Sequence, residues 1–223
     1  MLNDGDRGVI IQRDKKTYAV APHIPCGVVT PATLRKIADV AEKHDCAALK
    51  ITSAARIALV GLKEQDIDAV WADLGMSPGA AVGLCVRSVK ACPGTTFCKR
   101  GKQDSLSMGM KLDEKYHGME LPGKLKMGVS GCPNQCAETG FKDIGLVGTP
   151  SGWKVLAGGC GGGRPRIADT IAEKLDTEDA LALVDRIVEY FKANAKPHER
   201  LARLIDRTGL DAMKDAVGAA HDT

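Results

Sequence analysis

Aromatic side chains are scarce in this chain: three Tyr, three Phe and two Trp among 223 residues. So few rings leave little surface for stacking nucleic-acid bases. A net charge of only +3 adds no strong pull toward a polyanion. No apolar run reaches the roughly 20 residues that span a bilayer. The stretch from Met1 to Thr17 is charged and lacks the apolar centre of a secretory signal. No G-x-G-x-x-G follows a strand-like segment, so the dinucleotide-binding fingerprint is missing. The compact C-x2-C-x2-C-x3-C-P run of bacterial ferredoxins is missing too. These absences predict a soluble cytoplasmic protein that binds neither nucleic acid nor membrane.

What the chain does have is cysteine in pairs. Cys92-x5-Cys98 lies in Ala91-Cys-Pro-Gly-Thr-Thr-Phe-Cys98, and Cys132-x3-Cys136 lies in Gly131-Cys-Pro-Asn-Gln-Cys136. Both segments are loop-like, rich in Gly, Pro and small polar residues, so their backbone N–H groups are free to turn toward something bound. Zinc knuckles place two to four residues between ligands, which suits the second pair and not the first. Four thiolates are the normal complement of a [4Fe–4S] cluster. Spacing alone leaves a haem-free iron–sulfur protein, a zinc protein and a set of ordinary thiols open. Cys26, Cys46, Cys85 and Cys160 are scattered and read as ordinary buried thiols.

Hydropathy patterning predicts short strands at 8–12 and 17–21 around a charged turn. A helix follows, opened by Thr30 as N-cap and Pro31 at the first helical position. Strands are expected at 48–52 and 56–60. The next helix carries Ile67, Val70, Trp71 and Leu74 at helical spacing and stops at Gly75. The segment 84–165 is denser in Gly, Cys and Lys/Arg. In it 124–130 reads as a strand running into the second cysteine loop, and 144–148 and 153–157 read as a strand pair. The run from Gly158 to Arg166 reads as an anion-facing loop or a flexible turn. From Thr177 onward the pattern is helical, interrupted at Pro197 and ended at Gly209.

Cys-x5-Cys followed by Gly-Cys-Pro-Asn-Gln-Cys resembles the sirohaem and [4Fe–4S] sulfite and nitrite reductases. The likeness extends to Gly27-Val-Val-Thr-Pro31, Lys50-Ile-Thr52, Arg56-Ile-Ala-Leu-Val-Gly61, Arg87-Ser-Val-Lys-Ala-Cys92, Asp143-Ile-Gly-Leu-Val-Gly148 and Glu199-Arg-Leu201, covering about residues 8–217. It is strongest to the small assimilatory-type sulfite reductases and to the sirohaem domain of NADH-dependent nitrite reductases. The larger family members carry two copies of this unit, and here there is one.

The resemblance implies an α+β fold. A ferredoxin-like, substrate-side subdomain at 1–80 would pack on a sirohaem- and [4Fe–4S]-binding subdomain at 81–223 that ends in helices. It implies sulfite reduction to sulfide, or nitrite reduction to ammonia, with electrons from an external donor such as a ferredoxin, in a monomer or homodimer. Cys92, Cys98, Cys132 and Cys136 match the cluster ligands, and Cys136 would also bridge to the haem iron. Lys124, Lys126 and Arg87 match cations that bind the anion and supply protons. Arg56 lies on a matching strand, although larger sulfite reductases place this arginine where Ala54 stands. Arg164, Arg166, Arg100, Lys90, Asn134 and Gln135 are the candidates for binding the sirohaem carboxylates. His23, His44, His117, His198 and His221 match no ligand pattern and read as structural or exposed.

Overall fold

A computed structural model describes residues 1–219. His221 lies outside the described residues. The chain divides into two compact units, Met1–Gly83 and Leu84–Thr223.

The first unit runs β1 (Val9–Ile11), β2 (Tyr18–Val20), α1 (Pro31–Lys43), β3 (Ala48–Ile51), β4 (Ile57–Leu62) and α2 (Ile67–Leu74). Its strands form an antiparallel sheet in the order β1-β2-β4-β3. Helix α1 starts where the sequence says it should: the Thr33 N–H donates to the Thr30 side chain at 3.1 Å, and Pro31 occupies the first turn. Helix α2 ends at Gly75, whose φ of 55° is the left-handed conformation that glycine adopts at little cost. Ile37, Val40, Leu59, Leu62, Ile67, Val70 and Leu74 form one core with Tyr18 and Val20.

The second unit holds β5 (Val86–Ala91), α3 (Gly94–Phe97), α4 (Ser105–Tyr116), β6 (Leu125–Ser130), β7 (Ile144–Thr149), β8 (Gly152–Ala157), β9 (Asp169–Leu175), α5 (Thr177–Asn194), α6 (Leu201–Thr208) and α7 (Leu210–Ala216). The sheet order is β5-β6-β7-β8-β9. Strands β5, β6 and β7 run parallel, while β8 and β9 return antiparallel. Registers Met127↔Ile144, Val129↔Leu146, Leu146↔Val155 and Ile144↔Ala157 put these apolar side chains on one face. Helix α4 packs on β5 and β6, and α5 packs on β8 and β9. Trp153 Nε1 donates to Thr177 Oγ1 at the start of α5.

The other face is made of small residues at its centre. Registers Lys90↔Gly128↔Gly145 and Ser130↔Val147 align them. A Cβ on Gly128 would lie 2.8 Å from Lys142 Cγ, and one on Gly145 would lie 2.5 Å from the Thr139 carbonyl. The absent side chains let the segment 135–142 lie directly on the sheet. Among the described residues no helix is long and apolar enough to cross a membrane.

Five elements, β5, α3, α4, β9 and α7, have no counterpart among the strands and helices expected from the sequence. Strand β9 carries Asp, Glu and Lys on a half-exposed edge, so its alternation is weak. Helix α4 contains Gly109 and two serines and has a diluted apolar stripe. Strand β5 is interrupted by a register shift between Val86 and Ser88, which breaks the period of two.

Candidate active site

Parallel neighbours in a sheet bring their C-terminal ends to the same rim, where ligands of open α/β sheets commonly sit. Here β5 delivers Cys92 and β6 delivers Cys132 to that rim. Ala91 and Val129 are paired, so Cys92 follows one residue past the pairing and Cys132 three. The loops interlock closely. A Cβ on Gly131 would meet the Gly94 Cα and the Gln103 carbonyl at 2.7 Å each, and one on Gly101 would meet the Gly94 backbone at 2.6 Å. Gly94 itself has φ 56°. Lys102 N–H donates to the Gly131 carbonyl at 2.7 Å.

The sulfur of Cys92 accepts the Gly131 N–H at 3.1 Å and lies 3.2 Å from Ser105 Oγ. Ser105 Oγ also donates to the Cys92 carbonyl at 2.9 Å, and Ser105 is fully buried. A sulfur that accepts a backbone N–H suits a thiolate ligand. Cys132 is buried, whereas Cys98 and Cys136 are exposed, and all eight cysteines are free thiols. Among the described residues no three His, Cys, Asp or Glu side chains gather tightly enough for a single metal ion. A four-iron cluster instead spaces its thiolates around a cube. Two interlocked loops with donors turned toward a cysteine sulfur are a donor set of the kind an iron–sulfur cluster takes.

Beyond Cys136 the chain doubles back over the small-residue face. Gln135, with φ 50°, turns it. Gln135 Oε1 accepts from Thr139 Oγ1 at 2.7 Å and from the Gly140 N–H at 3.0 Å. Its carbonyl oxygen is therefore used inside the loop. Ala137 N–H donates to Ser130 Oγ. Glu138 pairs with Lys90 at 3.1 Å and with Lys142 at 2.9 Å. These cations hold its carboxyl below the usual range, the Lys142 hydrogen bond contributing most. Lys90, expected to bind a cofactor carboxylate, thus has an internal partner. Asn134 and Arg100 are exposed.

The opposite rim is strongly basic. It gathers the N-terminal ends of β5, β6 and β7 and the C-terminal end of β8. A cleft of about 720 Å³ opens there, lined by Arg87, Lys124, Arg164, Arg166, Arg200 and Arg203, with Asp206 as its one acidic residue. Cys160 and His198 line it too. Arg87, Lys124, Arg164 and Arg166 are thereby brought together in one cleft. Arg166 is the most committed. It donates to Asp169 at 2.6 Å, to Asp206 at 2.9 Å and to the Gly158 carbonyl at 3.0 Å. This fixes the glycine-rich turn, whose ends are bridged by the Cys160–Arg166 pair. Arg164 is exposed on the cleft.

Lys126 is half-buried two residues past Lys124. Burial lowers its pKa, and the charges of Lys142, Arg200 and Lys124 lower it further against the opposing pull of Asp143. Arg56 sits in the first unit, 5% exposed, just ahead of β4, and its N–H donates to Thr52 Oγ1.

Arg200 and Arg203 were not singled out as site residues, although Glu199-Arg-Leu201 belongs to the segments that resemble the reductase family. The available signal was Glu199-Arg200 lying just past the helix-breaking Pro197, ahead of α6. Cys160 and His198, read as ordinary, also face the cleft. His198 has φ 65°, an uncommon conformation for a non-glycine residue.

Interlocked cysteine loops at one rim of a parallel strand pair, and a cationic cleft at the other, define a redox protein acting on an anion. Residues 82–222 match the model described as nitrite and sulphite reductase 4Fe-4S domain, and residues 10–77 match the nitrite/sulfite reductase ferredoxin-like half domain. The chain belongs to the nitrite and sulphite reductase family, and an iron–sulfur cluster is the cofactor its 4Fe-4S domain implies. It is 43% identical to an assimilatory-type sulfite reductase of Nitratidesulfovibrio vulgaris, over 97% of this chain and 99% of that one. It is 40% identical to a Bacillus subtilis NAD(P)H nitrite reductase, over 93% of this chain and 26% of that one. Dissimilatory sulfite reductase I shares the fold, with a TM-score of 0.83 at 15% identity over 92% of this chain and 70% of that one.

Proposed function

We propose that the protein reduces sulfite to sulfide with sirohaem and a [4Fe–4S] cluster, taking electrons from an external low-potential carrier. The observation that carries this reading is the pairing of the two rims on the same strands. From Arg87 to Ala91 a strand rises roughly 13 Å. Cysteine loops for a cluster and cations for an anion are thus held at opposite ends of the same strands.

Cys92, Cys98, Cys132 and Cys136 are the residues that would hold the cluster. Arg164 and the other cleft cations would meet the many carboxylates of sirohaem. Bound sirohaem and cluster would together supply the one-electron steps that no side chain provides. The chain's own residues do the rest. Arg87 and Lys124 bind the anion and stabilise charge on its oxygens. Lys126, whose pKa is lowered, is a better proton donor than an ordinary lysine as oxygen leaves as water. A cytoplasmic location is part of the same proposal, since thiolates that hold a cluster must be kept reduced.

Nitrite is the second substrate reading, favoured by the Bacillus relative, since nitrite is also a small anion that the same cations serve. The relative matched over its whole length is named a sulfite reductase, which supports sulfite first.

The test is the visible spectrum of anaerobically purified protein, followed by sulfite or nitrite with a reduced viologen. A Soret band and a red band over a brown background, with faster turnover of sulfite, are the expected result. Faster nitrite turnover would move the reading to nitrite. A featureless brown shoulder in protein fully loaded with iron would overturn both.

A further inference from the structure

We propose that Arg200 is an oxyanion-binding residue of the cationic cleft, and that Asp143 is the positioning residue that holds it there and ties it to Lys126. The proposal rests on the reading of the cleft as the site of an anion.

Asp143 stands immediately before β7 and is fully buried. Its Oδ1 accepts from Arg200 Nε at 2.8 Å, and its Oδ2 accepts from Arg200 Nη2 at 2.7 Å. Oδ2 also accepts the backbone N–H of Lys126 at 2.8 Å. One carboxylate therefore joins the first residue pair of β6, the start of β7 and the residue ahead of α6. Two parallel N–H···O bonds fix the plane of the guanidinium as well as its place.

A buried ion pair is by itself weak support for stability, because desolvating two charges offsets most of their attraction. It does fix geometry. The geometry fixed here is that of a cleft wall: Arg200 lines the cleft. Its remaining nitrogen, Nη1, has no hydrogen-bond partner among the described residues. Arg166 differs, since all three of its nitrogens donate to internal partners, in four hydrogen bonds. Arg200 thus has a donor to offer, on a side chain that is already immobilised. Such a donor loses little freedom when an anion arrives. The anion's chemistry is that of a charged oxygen, from either sulfite or a carboxylate of the tetrapyrrole.

The experiment compares purified holoenzyme carrying R200K or D143N with the unmutated protein. Three quantities are read: sirohaem absorbance per chain, the sulfite dissociation constant from the shift of the Soret band, and the melting temperature. Lysine keeps the charge of Arg200 but loses the fork. Asparagine keeps one acceptor for the fork and loses the charge. Sulfite binding weakened about tenfold at full haem content assigns Arg200 to substrate; a several-fold loss of haem absorbance assigns it to a cofactor carboxylate. D143N moves the same quantity in the same direction by less. K192Q, on the exposed side of α5, moves neither. If both variants keep full haem content and sulfite affinity and only melt earlier, the pair is scaffold and the proposal is overturned. If R200K does not fold, D143N decides by the same two readings. An unmutated protein without haem bands contradicts the functional reading instead, and is recognised before any variant is made.

Discussion

The backbone N–H of Gly131 points at the sulfur of Cys92 across 3.1 Å, so each cysteine loop is tied to the other at the point where a ligand sulfur sits. The contact exists because nothing stands between the loops. A methyl group on Gly131 would collide with backbone atoms of Gly94 and Gln103 at 2.7 Å, and backbone cannot swing aside as a flexible side chain does. Gly131→Ala is expected to force the loops apart. Iron and inorganic sulfide per chain should fall to a small fraction of normal, measured on anaerobically purified protein. Full iron content in this variant would mean the interlock is irrelevant to the cluster.

The two kinds of cysteine should behave differently. Cys132→Ala removes a buried thiol at the end of β6 and is expected to abolish the brown chromophore. Cys46→Ala removes a half-buried thiol whose pKa is raised, mainly by burial, in the first unit. That variant is expected to keep its full iron and sulfide. Equal losses in both would count against assigning the cluster to the paired cysteines.

The lowered pKa of Lys126 has a pH signature. Its protonated form donates, so activity is present below its pKa and is lost as pH rises through it. Burial is the largest cause of the lowering, and the Lys142 charge is next. The basic limb of kcat/KM for sulfite should therefore lie below the ordinary lysine value of 10.5. Lys142→Met removes one repelling charge and should move that limb to higher pH. Lys126→Met should remove the limb along with most of the activity. A limb that stays in place in Lys142→Met would rule Lys126 out as its source.

Scaffold and site should be separable. Phe191 is fully buried on α5. Phe191→Ala is expected to cost roughly 3–5 kcal/mol. At about 2–4 °C per kcal/mol for a chain of this size, melting should drop on the order of 10 °C. Iron content and sulfite turnover in the cold should be near normal. Loss of turnover without loss of stability would put α5 closer to the chemistry than the fold does.

Most of the first unit was legible in the sequence, because its cues are local. Thr30-Pro31 opens α1, Gly75 closes α2, and apolar residues recur at helical spacing between them. The cysteine pairs and the Arg87, Lys124, Arg164 and Arg166 side of the cleft were legible as motifs. The common rim of the cysteine loops was not, since it follows from β5 and β6 being parallel neighbours, a pairing across more than thirty residues. Arg200 was hidden for the same reason: its partner Asp143 lies 57 residues away in the chain. Lys90 looks like a free cofactor donor in the sequence. Its partner Glu138 lies 48 residues away and becomes a neighbour only when the chain folds back over Gly128 and Gly145.

The most direct test of the account is electron stoichiometry. Reduced viologen would be supplied in measured amounts under anaerobic conditions with excess sulfite, and the sulfide released would be counted. Taking sulfur from +4 to −2 requires six electrons, so one sulfide for every six electrons is the predicted result. Electrons accepted with no sulfide formed, in protein that carries its full iron, would contradict it.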